Sequence, residues 1–256
     1  MTDPVTYEVA DGIAVITLNR PEQRNSVNAA LAQALRAAVT QFEKDAEARV
    51  GVLTGAGRVF CSGMDLKAFL DGEGDGILFG ENRFAGFVDT DRKKPLIAAV
   101  QGAALAGGLE IALACDLIVA EEGAVFGLPE VRVGIFALAG GPFRLARRIS
   151  PAKALELALT GGRMDAMEAH ALGLVNRVAA AGEGLAAARA LACEIAANAP
   201  LGVAATLAVV RAAMRQNEAD LFRLSEAMWP DVAASNDARE GPRAFAEKRA
   251  PHWTGD

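Results

Sequence analysis

Short apolar runs closed by glycine turns alternate with amphipathic segments along the first two thirds of the chain. Ile13–Leu18 (IAVITL) stands between Gly12 and the turn Asn19-Arg20-Pro21, and a run of that length predicts a buried strand. Val27, Leu31, Leu35, Ala38 and Phe42 then recur at intervals of three and four, the spacing of one helix face. That helix is expected to take Asn25 or Ser26 as its cap and to run to about residue 48. Residues 50–53, 97–100, 117–120 and 125–126 predict further strands. The first of these ends at Thr54-Gly55-Ala56-Gly57; the second leads through Gly102 and Gly107-Gly108 into a helix over residues 109–114. Another helix is expected to begin near Met64 or Asp65. The repeated unit is strand, glycine turn, helix, with strands too brief for a wide doubly wound sheet.

From Ser150 the pattern changes. Ser150-Pro151 predicts the start of a helix that stops at Gly161-Gly162, and Asp165-x-x-Glu168 has the form of a capping box. Beyond residues 174–178 the chain reads as almost wholly helical: 185–197, 203–228, and a last helix from about Asp231. This predicts an α/β spiral core over residues 1–197 and a helical region over 198–256. Residues 71–76 (DGEGDG) predict a mobile loop, with Phe79, Phe84 and Phe87 after it as apolar cover for a ligand.

The 256 residues carry 26 Lys plus Arg against 32 Asp plus Glu, so no basic footprint for nucleic acid or an anionic membrane is expected. Cys61, Cys115 and Cys193 are odd in number and widely spaced, which predicts free thiols and a reducing, cytoplasmic setting. Two distant histidines, His170 and His252, cannot build a zinc cluster, and no metal is expected. The opening MTDPVTYEVADG lacks a basic segment followed by an apolar one, so no secretory signal is expected. The most apolar stretch, 96–120, is broken by Gln101, Glu110 and Asp116, against a membrane span.

Two carboxylates stand out against this background. Glu110 lies inside GGLEIALAC, a helix apolar on all sides, where an unpaired carboxylate costs several kcal/mol. The alternative is that it merely answers the helix dipole from the first turn. Glu130 follows Gly127-Leu128-Pro129 in a segment with little other polarity; its alternative is a surface turn carboxylate paired with Arg132. The glycine clusters fit nucleotide motifs poorly. The run 102–108 lacks the Lys and Ser/Thr of a P-loop, and Phe60 stands where a dinucleotide fingerprint needs its third glycine. A turn without side chains instead exposes amides at a helix start. Gly107-Gly108 and Gly63-Met64 are two such turns, and converging amides can hold one developing oxyanion. Ser62 lies in FCSGM rather than a GxSxG elbow, against a serine nucleophile.

Six segments, in order, resemble the crotonase superfamily, specifically the enoyl-CoA hydratase/isomerase family. They are 13–28 (IAVITLNRPEQRNSVN), 58–67 (RVFCSGMDLK), 100–116 (VQGAALAGGLEIALACD), 126–134 (FGLPEVRVG), 159–178, and 244–253 (AFAEKRAPHW). The resemblance covers essentially the whole chain. It implies a crotonase-like spiral of ββα units with a C-terminal helical oligomerisation region, assembled as a trimer or a dimer of trimers. It places the oxyanion-hole amides on Met64 and Gly107 and the catalytic glutamates on Glu110 and Glu130. CoA would lie along Arg24 and the turn Cys61, Ser62, Gly63, Asp65, Leu66, with Lys67 assisting and Gly108 beside the second amide. Phe245 and Lys248 match tail positions that touch CoA bound to a neighbouring subunit. The activity implied is reversible syn hydration of a trans-2-enoyl-CoA, in fatty-acid or related acyl-CoA breakdown. CoA comes as part of the substrate and no cofactor is needed. An enoyl-CoA isomerase, or a CoA-thioester hydrolase or dehalogenase on the same scaffold, is the alternative; a silent binding protein would have lost a glutamate or a glycine turn. One departure bears on substrate identity: Ala137 stands where hydratases usually carry a proline in the wall of the acyl pocket.

Overall fold

The strands predicted from short apolar runs pair mainly in parallel and are buried on both faces, which is why they read as continuous rather than alternating. The computed structural model describes residues 3–256. Its main sheet contains β1 (Val5–Ala10), β2 (Ile13–Leu18), β3 (Val50–Gly55), β4 (Leu96–Val100), β6 (Leu117–Glu121) and β9 (Arg177–Ala179). They are ordered β1-β2-β3-β4-β6-β9, antiparallel only at the first pair. A second sheet joins β5 (Ala103–Leu105), β7 (Val125–Gly127) and β8 (Met164–Asp165) in the order β5-β7-β8. After each of β4 and β6 the chain passes to the small sheet before it turns back. Lone bridges extend that second layer, from Cys61 to Ala104 and from Val27 to Met64. These stacked turns make the spiral expected from the resemblance.

Alternate strand residues feed two layers. Ile13, Val50, Val52, Ile97, Ala99 and Val119 pack with Ala188 and Ala192 of the helix Gly184–Ala196, while Ala14, Ile16, Leu18, Leu53, Ala98 and Val100 face the larger core. Gly51 is required inside β3, because a Cβ there would come within 2.6 Å of Leu96 and 2.9 Å of Phe42.

The helices are α1 (Ala29–Lys44), α2 (Leu66–Ala68), α3 (Gly74–Leu78), α4 (Gly107–Ala114), α5 (Gly141–Arg148), α6 (Pro151–Thr160), α7 (Ala166–Ala171), α8 (Gly184–Ala196), α9 (Pro200–Ala213), α10 (Glu218–Ala234) and α11 (Asn236–Glu247). Several boundaries differ from the expectation. Asn28, not Asn25 or Ser26, caps α1, accepting the Leu31 amide at 3.0 Å. Asn25 is used elsewhere: it accepts from the Arg20 amide and donates to the carbonyls of Ala56 and Val59, fastening the turn after β2 to the turn after β3. The single helix expected over 203–228 is two, because Asn217 caps α10 by accepting the Asp220 amide. The helix expected from Asp231 begins after Ser235, since α10 continues through Pro230. The segment 71–76 is also not a free loop. It forms helical turns in which Glu73 accepts the Ala29 amide at 2.8 Å, and Ile77 is fully buried. Among the described residues, no single helix is long and apolar enough to cross a membrane.

Candidate active site

Two glycine turns on successive layers of the spiral meet. Gly63 has φ +98°, and a Cβ there would lie 2.7 Å from Ala106 Cβ and 3.0 Å from the Gly107 nitrogen. Ala106 itself sits at φ 53°, ψ −130°, a conformation that favours glycine and marks stored strain. It turns the chain so that α4 starts at Gly107, whose amide, as the first of the helix, has no intrahelical acceptor. Among the described residues, neither the Met64 nor the Gly107 N–H finds an acceptor within the protein. The glycine pair of α4 is a matter of close approach. A Cβ on Gly108 would strike the Cys61 carbonyl oxygen, and one on Gly107 would strike the Phe84 ring.

Glu110 lies one turn further along α4 and is 3 % exposed; Glu130 lies on the single helical turn Pro129–Val133 after β7 and is 7 % exposed. Glu110 Oε1 accepts the Gly141 amide at 2.8 Å. Burial pushes its carboxyl up to about 7, against that hydrogen bond, and the charge of Glu130 pushes in the same direction as burial. Glu130 is thus near enough for its charge to act on Glu110. Burial also raises Glu130, whose Oε2 is buried without a partner. The surface-turn alternative for Glu130 fails: Arg132 instead donates to the Thr160 carbonyl at 3.0 Å. A cavity of about 50 Å3 is lined by Leu78, Phe79, Arg83, Phe84, Leu138 and Ala139. Phe84 ties it to the Gly107 turn, and Ala139 to the wall that meets Glu110.

The remaining expected residues divide into two places. Cys61, Ser62 and Gly63 form one turn with Arg24, whose carbonyl accepts the Ser62 amide at 3.1 Å. Cys61 donates Sγ to the Asn25 carbonyl at 3.1 Å, and burial pushes its thiol up to about 12. Asp65 caps α2 through the amides of Lys67 and Ala68 and pairs with Arg20 at 3.1 Å, leaving Leu66 and Lys67 exposed. Phe245 and Lys248 do not join this cluster; they are exposed at the end of α11, and Phe245 is 88 % exposed. Sequence reasoning missed Gly141 and Arg144, whereas Phe79 and Phe84, expected as apolar cover, do line the cavity. The pair Gly140-Gly141 ahead of a helix was the one available signal for the first, by analogy with Gly107-Gly108. A larger groove of about 950 Å3 lies away from the glutamates, between the α9–α10 hairpin and residues 88–93.

The enoyl-CoA hydratase/isomerase family model matches residues 8–256. A carnitinyl-CoA dehydratase of Proteus mirabilis is 43% identical over 261 residues, covering 100% of both chains. One of Salmonella typhi is 43% identical over 95% of each. Among solved structures, the enoyl-CoA hydratase EchA1 from Mycobacterium marinum superimposes with a TM-score of 0.96 at 49% identity, covering 100% of both chains. The carnitinyl-CoA hydratase from Mycobacterium avium does so with 0.79 at 42% identity, again over 100% of each. Spiral, paired glycine turns and full-length likeness agree, and the chain belongs to the enoyl-CoA hydratase/isomerase family of the crotonase superfamily.

Proposed function

We propose that this chain catalyses the reversible syn addition of water to a trans-2-enoyl-CoA, giving a 3-hydroxyacyl-CoA. What supports the reading is two buried glutamates, one of which feels the charge of the other, together with two unpartnered main-chain amides, one of them on the helix that carries Glu110. The thioester carbonyl would sit between the N–H groups of Met64 and Gly107. Charge that builds on its oxygen as water adds at C3 meets donors that are already oriented, each worth about 3–4 kcal/mol. The position of Gly107 at the start of α4 adds the helix dipole. Glu110, aimed by the Gly141 amide and raised to about 7, takes the proton of the attacking water; a base with a pKa near the working pH suits that task. Glu130, with Oε2 free, supplies the proton to C2. CoA would follow the turn of Arg24 and residues 61–67.

The names of the relatives support the dehydratase direction as well, with carnitinyl-CoA as one substrate to test. The exposed apolar side chains of the last helices, including Phe222, Trp229 and Phe245, support a trimer or a dimer of trimers in which neighbouring copies cover them. Light scattering showing a monomer at micromolar concentration would remove that part.

The test follows the loss of the conjugated thioester absorbance of crotonyl-CoA, and of the trimethylammonium enoyl-CoA that dehydration of carnitinyl-CoA gives. Wild type should turn over at least one. Glu110→Gln and Glu130→Gln should each lower kcat by about 10²–10⁴-fold. Variants that match wild type would overturn the assigned roles.

A further inference from the structure

The guanidinium of Arg144 joins two segments that frame the site. Its Nη1 donates to the Ala139 carbonyl at 2.8 Å, and its Nη2 to the Val88 carbonyl. The first contact holds the turn 139–141, whose last residue gives its amide to Glu110. The second reaches the segment 84–88. There the Val88 amide donates to the Phe84 carbonyl at 3.3 Å, and the Phe84 ring covers Gly107. Gly140, at φ +104°, leaves the space for this: a Cβ there would strike Nη1. Phe143 lies alongside, with its ring centre 5.3 Å from the guanidinium carbon.

We propose that Arg144 is a positioning residue that clamps the wall holding Glu110 to the segment packed over the Gly107 amide. The proposal rests on the hydratase reading of the site. Arg144 touches no reacting atom; it keeps the base and one oxyanion donor in register across the cavity. The charged groups around it are Glu110, Asp89, Arg148 and Arg215, and Glu110 in turn feels the charge of Glu130. Its positive charge favours the ionised form of Glu110.

The experiment compares wild type with Arg144→Met and Arg144→Lys. Arg144→Met should lower kcat for crotonyl-CoA by about 10²-fold, the usual cost of a misplaced catalytic group, with a smaller change in KM. The acidic limb of its pH profile should move up, because the charge that favours carboxylate is gone. Arg144→Lys keeps the charge and should leave the limb in place, but one ammonium cannot span both carbonyls, so kcat should still fall. Carboxyl-labelled glutamate NMR, with the Glu110 signal assigned from Glu110→Gln, should show a higher midpoint in Arg144→Met without any need for turnover. Wild-type kcat and an unmoved limb in Arg144→Met would overturn the clamp. So would an equal loss of kcat in both variants with the limb unmoved, which marks a merely structural residue. If Arg144→Met does not fold, wild-type kcat in Arg144→Lys overturns it. A wild type inert toward both crotonyl-CoA and the trimethylammonium enoyl-CoA defeats the hydratase reading instead, and an unchanged NMR midpoint then decides against the clamp.

Discussion

Glu110 and Glu130 are both buried, but on elements of different build. Glu110 rides on α4, where every residue from Gly107 to Leu113 is buried, and a fixed amide meets its Oε1. Glu130 rides on one short turn whose other residues are largely exposed, with Val131 at 41% and Val133 at 61%, and its Oε2 has no partner. A carboxyl held by a rigid helix and a neighbouring amide points in one direction, as a group that must aim a water has to. A carboxyl with a free oxygen on a single turn is available to exchange a proton with whatever enters. Both are raised by burial, and the charge of Glu130 raises Glu110 further.

The difference breaks most visibly at Gly141. A Cβ there would lie 2.9 Å from Leu128 Cδ2, 3.0 Å from Glu110 Cγ and 3.1 Å from Oε1, so it would press on Glu110 directly and on the Glu130 turn only through Leu128. Gly141→Ala is therefore expected to lower kcat for crotonyl-CoA by about 10²-fold. An unchanged kcat would mean that the amide does not aim this carboxyl.

A smaller effect lies in pH dependence. With Glu110 ionised as the base, kcat/KM for hydration should rise through a limb near pH 7 and level above it. In Glu130→Gln the residual activity should show that limb at lower pH, because the neighbouring charge that raised Glu110 is gone. A limb at the same pH in both would deny that the charge of Glu130 acts on Glu110.

The smallest effect is on stability. Folding raises the Glu110 carboxyl from 4.5 to about 7, so the folded state favours the neutral form. Stability from that group is whole below pH 4.5 and is lost as pH rises through about 7, to a total of about 3 kcal/mol. Glu110→Gln keeps an acceptor for Gly141 and avoids the loss. Its melting temperature should exceed that of wild type by about 6–12 °C at pH 8, and by less at pH 5. Equal melting at pH 8 would place Glu110 in a wetter setting than its burial implies.

Much of this site was legible as contradiction. A glutamate inside GGLEIALAC and another after GLP break otherwise apolar stretches, and both proved buried. Gly63 and Gly107 were legible because a turn that bares its amides cannot carry side chains. Helix ends in the tail were harder. Asn217 interrupts a run of residues that all favour helix, and α10 passes through Pro230, so local preference misplaced both breaks. Arg144 carried no signal at all: near Arg147 and Arg148 it reads as one more basic residue on a helix surface. Its role lies in reaching Val88, 56 positions away.

By itself the sequence determined the alternation of strand, glycine turn and helix, and with it which residues had no room for a side chain. Those are local matters, set by hydrophobic spacing and backbone sterics. Only the tertiary structure decided which carboxylate oxygen has a partner, which amide aims Glu110, and which guanidinium joins the two walls. These depend on groups distant in the chain arriving within about 3 Å of one another, the reach of a hydrogen bond, and no periodicity records that.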